Sequence, residues 1–109
     1  MKCPKCPEQV LATSEVKGIQ IDQCGQCGGV WCDSSELFRL LAIEAGEVGR
    51  VARSKANPEA SAKAGKCPRD GTQMLRVASA KKRTVIIETC PDCRGIWLDG
   101  GELKELLAG

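Results

Sequence analysis

Apolar and polar positions alternate most clearly around Ile19 and Ile21, which are flanked by Gln20 and Asp22, the period of a strand with one buried face. The pattern predicts two short strands over 9–16 and 18–23, with a turn near Lys17-Gly18. The scheme returns over 72–78 and 83–89, where Val85-Ile86-Ile87 is the most strand-like run and Lys81-Lys82-Arg83 falls at the tip. After each hairpin the period changes. Asp33-Ser34-Ser35-Glu36 and Asp99-Gly100-Gly101-Glu102 both place Asp at a helix N-cap with Glu three residues on, the arrangement of a capping box. A helix is expected from Ser34 with Leu37, Leu40, Leu41, Ala45 and Val48 on one face, and a final one with Leu103, Leu106 and Leu107 inward. Pro58 turns the preceding residue away from helix, and 57–66 has no large apolar side chain, so it reads as a linker. The expected organisation is a first unit over 1–56, a linker over 57–66 and a second unit over 67–109.

That repetition extends to identities. Cys24-Gly25-Gln26-Cys27-Gly28-Gly29-Val30-Trp31-Cys32-Asp33-Ser34-Ser35-Glu36-Leu37 and Cys90-Pro91-Asp92-Cys93-Arg94-Gly95-Ile96-Trp97-Leu98-Asp99-Gly100-Gly101-Glu102-Leu103 share Cys, Cys, Gly, Trp, Asp, Glu and Leu at the same offsets. Cys3-Pro4-Lys5-Cys6 precedes the first copy and Cys67-Pro68-Arg69-Asp70 the second. The chain is a duplicated small unit. At 109 residues with one Phe, two Trp and no Tyr, each half is near the size where a metal must supplement the core.

Eight Cys admit either a secreted disulfide scaffold or metal binding. Met1-Lys2 runs directly into Cys3 and no long apolar segment follows. That opening points to the reducing cytosol, where thiols hold metal, and to no membrane association. The absence of His excludes Cys₂His₂ fingers, haem attachment and His-based catalysis.

Cys3-x2-Cys6 and Cys24-x2-Cys27 are separated by seventeen residues, a two-knuckle spacing. Four soft thiolates suit tetrahedral zinc, and four protein ligands close the site to substrate. Tight turns at Gly28, Gly29 and Gly95 would turn backbone N–H groups toward the sulfurs. Thiol redox chemistry and iron remain alternatives at the same residues. In the second half Cys67, Cys90 and Cys93 are one thiolate short, and Asp70 stands where Cys6 stands. Asp is a zinc ligand through oxygen, so a Cys₃Asp site is expected, with a vacant site or completion by Cys32 as the alternatives. Cys32 otherwise reads as a small buried apolar residue. Two Zn²⁺ ions are therefore expected.

Trp31 and Trp97 hold equivalent positions and read as the main mass of a small core rather than as exposed stacking platforms. Net charge is +2, but between Arg50 and Arg83 ten basic residues face only Glu59 and Asp70. This centre could meet an acidic partner or phosphates.

With the motifs quoted above, Cys-Pro-x-Cys, a hairpin, and Cys-x-x-Cys-x-Gly-[Val/Ile]-Trp-x-Asp-x-x-Glu-Leu, both copies resemble the transcription-factor zinc-finger family. Its members carry a ribbon similar to that of transcription factor IIB. The resemblance covers about 1–41 and 67–107. It implies Cys3, Cys6, Cys24 and Cys27 as zinc ligands, and Cys67, Cys90 and Cys93 in the second copy; Asp70 and Cys32 depart from the family pattern. The expected fold is a small metal-bound α+β arrangement: two tandem zinc ribbons, each a β-hairpin with two knuckles followed by a capped α-helix. The expected function is a non-enzymatic cytoplasmic adaptor for a protein or nucleoprotein partner, in transcription or translation, with no small-molecule substrate. Direct nucleic-acid binding through Arg76, Lys81, Lys82 and Arg83, of low sequence specificity, and a thiol redox protein are the alternatives.

Overall fold

The computed structural model describes residues 1–16, 18–33, 64–79 and 84–102. Each half contributes three strands: β1 (Ala12–Val16), β2 (Ile19–Gln23) and β3 (Val30–Asp33), then β4 (Leu75–Ala78), β5 (Ile86–Thr89) and β6 (Gly95–Leu98). The hairpins lie where alternation placed them, with shorter strands. Gly18, at φ 79°, takes the left-handed turn conformation that joins β1 to β2, which glycine adopts without steric cost.

The third strand of each half was not foreseen. Val-Trp-Cys-Asp and Gly-Ile-Trp-Leu follow their second knuckles directly and are almost wholly buried. β3 returns antiparallel beside β2, and β6 beside β5. β3 and β6 then pair with each other, so that one six-stranded antiparallel sheet runs β1-β2-β3-β6-β5-β4. The two ribbons share a continuous hydrogen-bonded sheet.

Its register is symmetric. Trp31 pairs directly with Trp97, Val30 with Leu98, Cys32 with Ile96 and Asp33 with Gly95. Equivalent residues of the two copies thus meet about an axis between the tryptophans. One row crosses the whole sheet on a single face: Thr13, Asp22, Trp31, Trp97, Glu88 and Arg76. Against this face lies a core of Trp31, Trp97, Leu11, Met74 and the knuckle cysteines. Val30, Cys32, Ile96 and Leu98 alternate onto the opposite face and are buried too, which makes β3 and β6 the central strands of the molecule.

The expected α+β class is corrected by these observations: the described residues form an all-β sheet, with no α-helix among them. The first expected helix, from Ser34, lies outside the described residues, as do Leu103, Leu106 and Leu107. At the second box the N–H of Asp99 donates to Glu102 Oε1 at 2.7 Å, and the N–H of Glu102 to the Asp99 carbonyl at 3.0 Å. The Asp99 carboxylate is also engaged from beyond the box. It accepts from Trp97 Nε1 at 2.8 Å and from Lys5 Nζ at 3.2 Å. It thereby satisfies a buried indole donor and a buried ammonium, either of which would be costly to leave unmatched. Of the expected linker, only 64–66 is described; there Lys66 bridges to Gln73 and the Gly65 N–H donates to Glu88 Oε1 at 2.7 Å. No helix among the described residues is long and apolar enough to cross a membrane.

Candidate metal centres

The sheet brings each pair of knuckles to a common end. The first knuckle is fastened to its hairpin by Cys3 N–H to the Gln9 carbonyl at 2.9 Å, and in the second half by Cys67 N–H to the Thr72 carbonyl at 2.7 Å. The second knuckle closes in the same way in both halves. Cys24 N–H donates to the Gly29 carbonyl and Gly28 N–H to the Cys24 carbonyl; Cys90 to Gly95 and Arg94 to Cys90 repeat the pair, all at 2.9–3.0 Å. The turn requires a left-handed residue, supplied by Gly28 at φ 76° and by Arg94 at φ 64°. Glycine meets that demand freely and Arg94 meets it against its Cβ.

Cys3, Cys6, Cys24 and Cys27 converge in one cluster, and Cys67, Asp70, Cys90 and Cys93 in a second, with the donor atoms of each within 4.8 Å of one another. Cys3 Sγ lies 3.6 Å from Cys27 Sγ, and Cys67 Sγ 3.6 Å from Cys93 Sγ. Sulfurs bound tetrahedrally at zinc's usual bond length of about 2.3 Å sit roughly 3.8 Å apart, so the donors need little movement to hold the ion. Backbone N–H groups within the knuckles point at the sulfurs: Lys5 and Cys6 to Cys3 Sγ at 3.4 and 3.2 Å, and Cys27 to Cys24 Sγ at 3.4 Å. Arg69 to Cys67 Sγ and Cys93 to Cys90 Sγ, both at 3.4 Å, repeat the scheme. The eight cysteines form no disulfide.

Electrostatics favour a cation at both ends. The hydrogen bond with Cys27 and burial drive the Cys3 thiol far above the usual range, while that same bond holds Cys27 down to about 5. Burial, with the neighbouring sulfurs, pushes Cys6 up to about 11, and burial pushes Cys67 up to about 12. Thiols packed this closely cannot all ionise unless a cation sits among them, and a divalent ion supplies that charge.

Asp70 behaves differently. It is exposed, and its carboxyl is held down to about 2, first of all by the backbone N–H of Thr72, which lies 2.9 Å from Oδ1. Oδ2 stands 3.5 Å from Cys90 Sγ. Thr72 is braced in turn by Asp92, its hydroxyl donating to Oδ2 at 2.8 Å. The carboxylate is therefore ionised and aimed at the cluster, a fourth donor for a Cys₃Asp centre. Cys32 lies outside both clusters, buried in β3 opposite Ile96.

Trp31 and Trp97 are 1% and 0% exposed, which removes them as base-stacking platforms and seats them in the core. Their packing is reciprocal. A Cβ added to Gly29 would lie 2.0 Å from the Trp97 ring, and one added to Gly95 would lie 2.2 Å from the Trp31 ring. These glycines leave room for the indole of the other half, a role beyond the turn expected of them. Arg76 is exposed on the edge strand β4, and Lys81, Lys82 and Arg83 lie outside the described residues.

The polar contacts between the halves could not be read from the chain. Lys5 Nζ reaches Glu88 at 2.7 Å and Asp99 at 3.2 Å, with all three side chains below 10% exposed. Burial pushes Glu88 up to about 7 against the hydrogen bond from Lys5. Arg69, which matches Lys5 in the second knuckle, places its guanidinium 5.7 Å from the Trp31 ring centre. The one available signal was a basic residue before the fourth position of both first knuckles.

A family model described as transcription factor zinc-finger matches residues 2–43 and again 66–109. No curated protein and no solved structure matches the chain.

Proposed function

From the premise that this chain belongs to the transcription factor zinc-finger family, with two ribbons that each carry a site suited to zinc, we propose that it is a non-enzymatic adaptor. In this reading its zinc ions are structural, and its sheet presents a surface to a protein or nucleoprotein partner in transcription or translation. The observation that carries the reading is the closure of the first centre. All four of its donors are cysteines of the chain, two of them buried and two half-buried. A zinc ion there has no open coordination position for a water or substrate. Ligated thiolates are likewise withdrawn from redox exchange. Surface for a partner lies at the edge of the sheet, where β4 exposes Leu75, Arg76 and Val77.

The test is capture of partners by the tagged, zinc-loaded chain from its own cells, followed by reconstitution from purified components. A stoichiometric complex that survives nuclease supports the adaptor reading. Metal-dependent turnover, or thiols that cycle with a disulfide substrate, would overturn it.

Direct nucleic-acid binding is the second reading, favoured by Arg76 on that open edge and by the basic Lys81-Lys82-Arg83 that follows in sequence. Such binding would rest on phosphate contacts and weaken steeply with salt. Filter binding at low salt decides it: no retention of any single- or double-stranded probe removes the reading.

A further inference from the structure

Each metal cluster is gripped by the opposite half of the chain at two places. At the first centre, the backbone N–H of Lys5 donates to Cys3 Sγ. The ammonium of that same residue is held by Glu88 and Asp99 of the second half. Gly29, two residues past Cys27, lies under the Trp97 ring. At the second centre the pattern is mirrored. Arg69 donates its N–H to Cys67 Sγ while its guanidinium lies over Trp31 of the first half. Gly95, two residues past Cys93, lies under the Trp31 ring. Pro4 also abuts Gly65, whose added Cβ would lie 2.8 Å from the Pro4 ring.

We infer that the two centres fill as a coupled pair, with Lys5 and Arg69 as the positioning residues through which an ion at one centre strengthens the hold of the other. The physical reason is an ordering cost shared between the halves. A knuckle takes its tight backbone geometry only when its sulfurs converge on an ion. Once it does, Lys5 or Arg69 is fixed at a bearing that engages the opposite sheet. The second ion then meets a partly ordered site and pays less to order the rest. Linkage makes the effect reciprocal: whatever factor the second centre lends the first, the first lends the second.

The coupling has a direction in practice. With a carboxylate in place of one thiolate, and that carboxylate exposed, the second centre gives up its ion first. Its loss withdraws the support that Glu88 and Asp99 lend to Lys5, so the first centre loosens in turn. The chain thereby responds to falling zinc as one body, despite having one closed, sulfur-rich site that could by itself keep its ion.

The test uses the full chain and a competing chromogenic chelator, which reports the affinity of each centre. Cys93→Ser disables the second centre; first-centre affinity should then fall about tenfold or more, within the range usual for coupled sites. Cys27→Ser should weaken the second centre by the same factor. An unchanged affinity in either experiment overturns the inference.

Lys5→Met keeps both donor sets and removes the ammonium. The difference in first-centre affinity with and without Cys93→Ser should shrink to within about threefold. Full coupling in Lys5→Met would overturn the role given to Lys5. Should Lys5→Met fail to fold, Arg69→Leu examines the mirror contact, where Arg69 is exposed and the fold does not depend on burying it. There the effect of Cys27→Ser on the second centre should likewise shrink, and its persistence in full would overturn the role given to Arg69.

Discussion

Gly29 and Gly95 show how far a single missing methyl group reaches. Each backbone is approached by an indole from the other half so closely that an added Cβ would overlap the ring. Gly29→Ala or Gly95→Ala should therefore destabilise the folded protein by about 1–3 kcal/mol, whereas Gly25→Ala, with nothing within 4 Å, should be close to neutral. Thermal melts of the three zinc-loaded variants check this order. The two indoles are also unequal. Trp97 Nε1 donates to Asp99, while Trp31 Nε1 is buried with no partner among the described residues. Trp31→Phe is thus expected to cost less than Trp97→Phe, which would deprive buried Asp99 Oδ1 of its indole donor; equal losses in denaturant midpoint would refute this. Glu88 supplies a pH dependence. Its carboxyl titrates near 7 when folded, against an ordinary value of 4.5, so the folded state holds the extra proton between those limits. This group's contribution is fully present at the acid end and is lost as pH rises through about 7. Between pH 5 and 7 this loss opposes the gain that zinc-bound thiolates make as pH rises, so Glu88→Gln should make the stability of the zinc-loaded protein rise more steeply with pH than in the parent.

Among the elements, the hairpins and both sets of metal donors were legible in the chain, and the strands that join the halves were not. Ile19 and Ile21 alternate with polar neighbours because only one of their faces meets the core, and alternation of that kind is visible from sequence. Val30-Trp31-Cys32 and Gly95-Ile96-Trp97-Leu98 are buried on both faces, so they show no alternation and read as lead-ins to the capping boxes beyond them. The ligands were legible because tetrahedral thiolate binding fixes their spacing, and Asp70 because it falls in the register of Cys6. Pairing of β3 with β6 depends on a near-twofold relation between copies, which no local pattern encodes. The contact of Lys5 with Glu88 and Asp99 was not legible for the same reason, as it joins opposite halves. Asp70 tests the second centre at this scale. Since Asp70 is already ionised at neutral pH, it has no proton to release when zinc binds there. Asp70→Cys should therefore raise second-centre affinity and add to the protons released on zinc binding, as titrations in weak buffer would measure; an unchanged proton count would contradict the Cys₃Asp donor set.

At the scale of the whole molecule, a six-stranded sheet carries two clusters of metal donors packed around its central tryptophans, with very little other aromatic mass. A structural zinc of this type contributes about 10–16 kcal/mol of apparent binding free energy, comparable to or larger than the net stability of a typical domain. The ions, with Trp31 and Trp97 at the axis, are what this account holds responsible for the shape. The most direct test is the backbone amide spectrum of the full chain while zinc is withdrawn by a strong chelator, followed at Val30–Asp33 and Gly95–Leu98. The account predicts that two ions leave per chain and that the dispersed amide signals of these central strands collapse together. Signals that stay dispersed after both ions are gone would contradict it.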